Sequence, residues 1–192
     1  MQKNEKSVHS SPNYTMMQYE NILENDEIKL RALEPEDISL LYVWENDTKL
    51  WEVGSTIAPF SKKILRDYIE NSHLDIYEAK QLRLMIDDKQ SQTTIGSIDL
   101  YDFDPHNRRA GIGILVTEEF QNKGFAKKSL LLLLHYCKTM LLLHQVYVEI
   151  PKSNEACLAL FRSADFQQIG IKKDWLARGH EYEDVVVMQK IL

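Results

Sequence analysis

The residues Gln121-Asn122-Lys123-Gly124-Phe125-Ala126-Lys127-Lys128 concentrate the chemistry of this chain. They stand between an apolar alternating run and a long helix-like run. Gly124 and the small Ala126 let backbone come close to a ligand. The first amides of a helix have no internal acceptors and carry partial positive charge, a setting that suits an anion and best of all a pyrophosphate. Lys123, Lys127 and Lys128 add charge around that position. A glycine and lysines also open ordinary helices, so this segment alone fits either reading. Competing phosphate motifs fail on spacing. Gly111-x-Gly113 has Val116 where a dinucleotide fingerprint needs its third glycine, and no P-loop spacing occurs. The six histidines and the two cysteines, Cys137 and Cys157, show no zinc spacing, so no metal is expected.

The elements that must position this segment follow from patterning. The chain has 192 residues, 44% hydrophobic and 27% charged, with a net charge of −6. That length and composition suit one soluble globular domain with a short tail, and they exclude a membrane channel and wholesale disorder. The acidic balance argues against nucleic-acid binding. Residues 1–27 are polar and carry half of the net charge, through Lys3 and Lys6 against Glu5, Glu20, Glu24, Asp26 and Glu27. They are expected as an N-terminal extension, frayed or forming a short docking helix through Met16 to Leu23. The domain is expected over 28–192. The first residues lack the apolar core of a signal peptide, and Leu130 to Leu134 is too short to span a bilayer, so the cytoplasm is the expected location.

Ile28, Leu30 and Ala32 alternate as a first strand. Pro35 with Glu36 and Asp37 reads as a helix start, and Ser61 as the cap of a second helix. Strands follow over Leu82 to Ile86, Thr94 to Phe103 and Arg109 to Val116, then a helix from about Gly124 to Met140. Val146 to Ile150 is a strand, Ser153 to Ser163 a helix, and two closing strands complete the chain. Strands first in a run and then interleaved with helices imply a mixed sheet in an α/β (α+β) layered fold.

On these elements a resemblance stands out. Gln121-x-x-Gly124-x-Ala126 after a strand is similar to the acyl-coenzyme A motif of the GNAT N-acetyltransferases. The likeness runs from about Ile28 to Leu192. It includes Lys29-Leu30-Arg31-Ala32-Leu33 with Glu36-Asp37, Ile95 to Leu100, Arg108 to Gly113, Asn154 with Ala156 and Cys157, and Gly179-x-x-Tyr182-x-Asp184. The polyamine and ribosomal-protein N-terminal acetyltransferase branches look nearest. The resemblance implies a mostly antiparallel sheet flanked by helices and splayed between its fourth and fifth strands. It also implies acetyl-CoA as co-substrate, a small amine or protein amine as acceptor, no membrane partner, and a homodimer as a family-level expectation.

By that resemblance the pantetheine arm pairs along Ile114, Leu115 and Val116 as an added strand would. The resemblance implies a pyrophosphate on the backbone amides of Asn122, Lys123, Gly124, Phe125, Ala126 and Lys127, with Gln121 of the motif also binding the cofactor, Asn154 on the polar arm and Phe161 packed along it. Capping of the following helix is the alternative role for Asn154. The implied reaction is attack of a neutral amine on the thioester. An amine of pKa ~10.4 costs roughly 4.6 kcal/mol to uncharge at neutral pH. A base, a water chain or orientation must therefore contribute.

Two departures leave the proton chemistry open. Many relatives carry a tyrosine where this chain has Phe161, and a glutamate where it has Gly111. Phenylalanine cannot protonate a departing thiolate. Asp99 is the first candidate base, with Tyr182, Glu149 and Asp102 behind it; each also reads as a solvated or structurally bonded side chain. Strand alternation puts Asp99, Tyr101 and Phe103 on one face. Glu45, Asp47 and Glu52 fall in the variable acceptor region, and Trp44, Trp51 and Trp175 read as pocket walls or core. A catalytically weak acetyl-CoA-binding sensor is the alternative function.

Overall fold

The computed structural model describes residues 21–51, 56–73 and 75–192. Glu52, and the tail residues 1–20 with the expected docking helix around Met16 and Tyr19, lie outside the described residues. Seven strands form one sheet in the order β1-β2-β3-β4-β5-β7-β6. They are β1 Ile28–Ala32, β2 Leu82–Asp88, β3 Thr93–Asp104, β4 Arg109–Val116, β5 Gln145–Pro151, β6 Gln167–Arg178 and β7 Glu181–Ile191. Every neighbouring pair is antiparallel except β4 and β5, which run parallel. That parallel pairing spans only Arg109–Gly111 against Gln145–Tyr147, and beyond it the two strands part.

The helices divide between the two faces. One face carries α5 Phe125–Thr139 and α6 Glu155–Ser163. Leu130, Leu133, Leu134, Cys137, Leu158 and Phe161 bury there against Ile98, Leu100, Ile112, Val148 and Ile150. The opposite face carries α1 Ile38–Glu45 and α3 Lys62–Glu70, whose Leu41, Trp44, Leu65 and Ile69 close on Met85. Two single-turn helices, α2 Thr48–Trp51 and α4 Ile76–Ala79, complete the set among the described residues.

Local chemistry sets the helix boundaries. Ser61 caps α3 by accepting from the Ile64 amide at 3.2 Å. Pro35 opens a 3₁₀ turn into α1, where Asp37 accepts two hydrogen bonds from Arg31 at 2.7 and 2.9 Å. Burial alone would raise the Asp37 carboxyl; Arg31 and the Glu34 amide outweigh it and hold Asp37 below the usual carboxylate range. Residues 21–27 fold back on β1: the Leu30 amide donates to the Leu23 carbonyl at 2.7 Å, and Leu23 packs against the core.

Alternation along β3 breaks where a bulge intrudes. Tyr101 pairs with Gly111, but Asp104 pairs with Arg109, so β3 carries one extra residue, and Asp102 takes φ +49°. The extra residue reverses the parity. Phe103 therefore sits with Leu100 in the α5 core, 3% exposed and edge-on to Tyr77, rather than beside Asp99 and Tyr101.

Candidate active site

The loop from β4 into α5 begins at Val116, whose carbonyl accepts a hydrogen bond from Gln121 Nε2 at 3.0 Å. That bond ties the motif glutamine to the strand end. Asn122 at φ +59° and Gly124 at φ +85° then reverse the chain, so the helix starts without a side-chain cap. A bulky residue at Gly124 would be strained by that backbone whatever the space around it. The uncapped first turn of α5 faces a cleft of about 350 Å³. A cleft of that size suits part of an extended ligand.

The cleft gathers Ile114, Val116, Gln121, Asn122, Gly124, Phe125, Ala126, Lys127 and Asn154 from the sequence-derived set. It adds Phe120, Ala156, Cys157 and Leu160. Three expected residues are placed otherwise. Leu115 turns its side chain to the α1 face, as alternation demands, leaving only its backbone on this side. Lys123 lies with Nζ 5.0 Å from the Phe120 ring centre rather than among the lining residues. Phe161 is fully buried and packs edge-on to Phe166 at 4.9 Å, so the core takes the ring expected beside the ligand, and Leu160 faces the cleft. Lys128 pairs with Glu27. Asn154 caps α6 through Oδ1, which accepts from the Cys157 amide at 3.1 Å, so its side-chain amide is what remains to donate to a ligand. Burial pushes the Cys157 thiol up to about 11, which keeps it protonated and inert.

On the other face, beside the apolar cluster that α1 and α3 close on Met85, lies a polar group. Arg83 stands directly across β2 and β3 from Asp99, and its Nε donates to Asp99 Oδ1 at 2.7 Å. Its Nη1 donates to Glu45 Oε1 at 2.7 Å, and its guanidinium lies over Tyr68, 5.5 Å from the ring centre. Two carboxylates thus share one cation. Burial raises the Asp99 pKa, and Glu45 adds to that, while Arg83 opposes both. Asp99 in turn pairs with Gly113 on β4, where the missing side chain leaves room in front of the carboxylate.

The weaker candidates lie elsewhere on the sheet. Glu149 on β5 accepts from Lys172 Nζ at 2.6 Å, and Lys172 sits 4.4 Å from the centre of the exposed Trp175 ring. Tyr182 on β7 is 66% exposed and pairs with Ala177 at the hairpin, away from the β4–β5 fork. Asp102 accepts from the Tyr147 hydroxyl at 3.2 Å. Trp44 is core, and Trp51 Nε1 donates to the Glu45 carbonyl at 2.7 Å. Patterning missed the role of Arg83, although a lone cation inside the apolar run Leu82–Ile86 was its signal. Among the described residues no group of three or more metal-ligating side chains occurs, and no helix is long and apolar enough to cross a membrane.

The chain is similar to known proteins in sequence and in fold. The family model for the acetyltransferase (GNAT) domain matches residues 27–167. The chain is 26% identical over 162 residues to spermidine N(1)-acetyltransferase of Vibrio cholerae, covering 84% of this chain and 91% of that one. It is 26% identical over 170 residues to a putative ribosomal N-acetyltransferase of Bacillus subtilis, covering 84% and 90%. In structure it is similar to the Vibrio cholerae spermidine N-acetyltransferase in complex with CoA and spermine, with a TM-score of 0.79 and 24% identity over 87% of this chain and 96% of that one. The family match, the fork between β4 and β5 and the loop ahead of α5 agree: this chain belongs to the GNAT acetyltransferase family and is an acetyl-CoA-dependent N-acetyltransferase.

Proposed function

We propose that the acceptor is a polycationic amine of the polyamine class, acetylated at a primary amino group, with Asp99 as the group that takes its proton. The observation that carries this is the Glu45–Arg83–Asp99 cluster, where two carboxylates share one cation and a net negative charge remains under α1 and α3. A single ammonium neutralises that remainder, and a further ammonium group finds Asp102, which holds the Tyr147 hydroxyl beside the fork. Burial strengthens Asp99 as a base by disfavouring its charged form. Several relatives bear spermidine N(1)-acetyltransferase names, which supports the same class.

For the donor, we assign the pyrophosphate to the backbone of Asn122 through Lys127, with Gln121 closing the loop and the lysine charges of Lys123 and Lys127 nearby. The arm runs along Ile114, the Leu115 backbone and Val116, and Asn154 donates its amide. Acetyl-CoA supplies the activated thioester. The chain's residues hold it, bring the amine to it, and remove a proton. Residues 28–192 act as the catalytic domain, and 1–27 as an extension whose last residues lie along β1. We place the chain in the cytoplasm, a setting in which the free Cys137 and Cys157 stay unpaired. Strand β6 is a sheet edge with exposed Ile169 and Trp175, which supports self-association into a homodimer, checked by light scattering.

The acceptor test is thiol release from acetyl-CoA across spermidine, spermine, monoamines and peptides with free N-termini. Polyamines should give the highest kcat/KM, with KM rising as salt screens the acidic face. A preference for N-terminal peptides, with polyamines inert, would overturn this acceptor.

A further inference from the structure

The bulge in β3 has an effect on the fork. Immediately before it, the Tyr101 ring is laid across Gly111, so that a Cβ built at Gly111 would come within 2.2–2.7 Å of three ring atoms. Tyr101 thus fills the space that a side chain at position 111 would take. Its flank is closed by Tyr147, whose ring stands edge-on at 5.8 Å and whose hydroxyl is held by Asp102 of the bulge. Its tip reaches the backbone of Glu149 on β5. Gly111 and Tyr147 are the last parallel pair, and Glu149 is two residues beyond, paired only with Val187 of β7. The Tyr101 hydroxyl therefore sits in the notch where β4 and β5 separate. An arm entering beside Gly124 and running along Val116 and Ile114 ends at that notch, because there the slot closes.

We propose that Tyr101 is the proton relay of the transfer, standing between the amine nitrogen on the Asp99 face and the CoA sulfur in the fork. This rests on the acetyl-CoA placement given above. The neutral amine's lone pair forms the C–N bond, and the carbonyl π pair moves onto oxygen. As that pair returns, the C–S bond breaks and its electrons leave on sulfur. The nitrogen then holds one proton too many. It passes that proton to the Tyr101 oxygen while the Tyr101 O–H proton goes to sulfur, giving amide and thiol with Tyr101 neutral throughout. Burial, with Tyr147, Glu149 and Asp102 adding to it, raises the Tyr101 pKa well above the ordinary tyrosine value, so the phenolate is disfavoured. A stand-alone acid would suffer from that shift; a relay that never carries charge does not. The role also answers Phe161, which has no proton to give and is sealed in the core.

The test is Tyr101→Phe, which keeps the ring over Gly111 and removes only the hydroxyl. We expect kcat to fall about 100-fold, the low end of general acid–base effects, with CoA affinity by calorimetry within about twofold of wild type. A second readout needs no turnover. The thiolate absorbance of bound CoA, titrated with pH, should show the thiol ionising roughly one unit lower in wild type than in Tyr101→Phe, because a hydrogen bond to the anion favours it. Gly111→Ala keeps the hydroxyl but displaces the ring, and should lose kcat in the same way. Wild-type kcat in either variant, or superimposable thiol titrations, would overturn the relay. A wild-type protein that binds CoA yet acetylates no amine would instead sink the acetyl-transfer reading, and the titration would still judge Tyr101.

Discussion

The two faces of the sheet solve opposite problems. On the α5 face the cleft beside Gly124 is built from backbone and small or apolar side chains, Ile114, Val116, Ala126, Ala156 and Leu160 among them. On the α1 face, Arg83, Asp99, Glu45 and Tyr68 are polar and joined through Arg83, and Glu149 is paired with Lys172. An anion with a long neutral arm needs amides and room. A cation about to lose a proton needs fixed negative charge with restricted water. The fork between β4 and β5 is where the two environments meet, since beyond Gly111 and Tyr147 no strand pairing separates them.

This contrast can be broken one side at a time. Asp99→Asn should lower kcat by about 100–1,000-fold, within the range for a positioned base, and leave CoA affinity unchanged. The sign of its pH effect follows from burial. Asp99 accepts a proton only when ionised, so activity falls as pH drops through its folded pKa. Because that pKa lies above the ordinary aspartate value, the wild-type acid limb should lie above the ordinary aspartate range and vanish in the variant. A calorimetric loss of CoA affinity in Asp99→Asn would show that the faces are not separable.

Arg83→Met should act on stability before activity. It leaves Glu45 and Asp99 close together without their shared cation. We expect a loss of roughly 2–3 kcal/mol, less than the ~3–5 of a fully buried pair because about a quarter of each side chain is exposed. Denaturant unfolding measures it, and an unchanged midpoint would remove Arg83 from the architecture of this face.

Asn154→Ala is the smallest and blurs the contrast on the cleft side, because one residue serves both fold and ligand. Losing the cap should cost about 1 kcal/mol of stability, and CoA should bind up to about tenfold more weakly. Loss of stability with unchanged affinity would leave Asn154 a cap alone.

What the sequence could show follows the same division. The cleft was legible because its chemistry is local: Gly124, Ala126 and the helix start lie within a few residues, and the ordered resemblance around them singled out a backbone cradle from an ordinary helix start. The strands were legible from alternation, and β4 was read with its observed bounds. The α1 face was only partly legible, because its contacts join residues 16 and 38 positions apart, as Arg83 does with Asp99 and Glu45. The bulge at Asp102 was invisible for a related reason. Nothing in an alternating run marks the single extra residue that moves Phe103 into the core and lays Tyr101 over Gly111. On α6 the helical period was clear, but which of Leu160 and Phe161 faced the cleft depended on a rotation that only packing against Phe166 decides.

The proposed cofactor cradle is the backbone of the loop ahead of α5. Calorimetric titration of CoA into Gly124→Val, beside wild type and Lys123→Ala, tests that assignment. Wild type should bind one CoA per chain. Lys123→Ala should weaken binding by less than about tenfold, as loss of one exposed charge does. Gly124→Val should abolish measurable binding, because a β-branched residue cannot hold φ +85° without displacing the helix start. Affinity in Gly124→Val equal to wild type would contradict the assignment of the cofactor site.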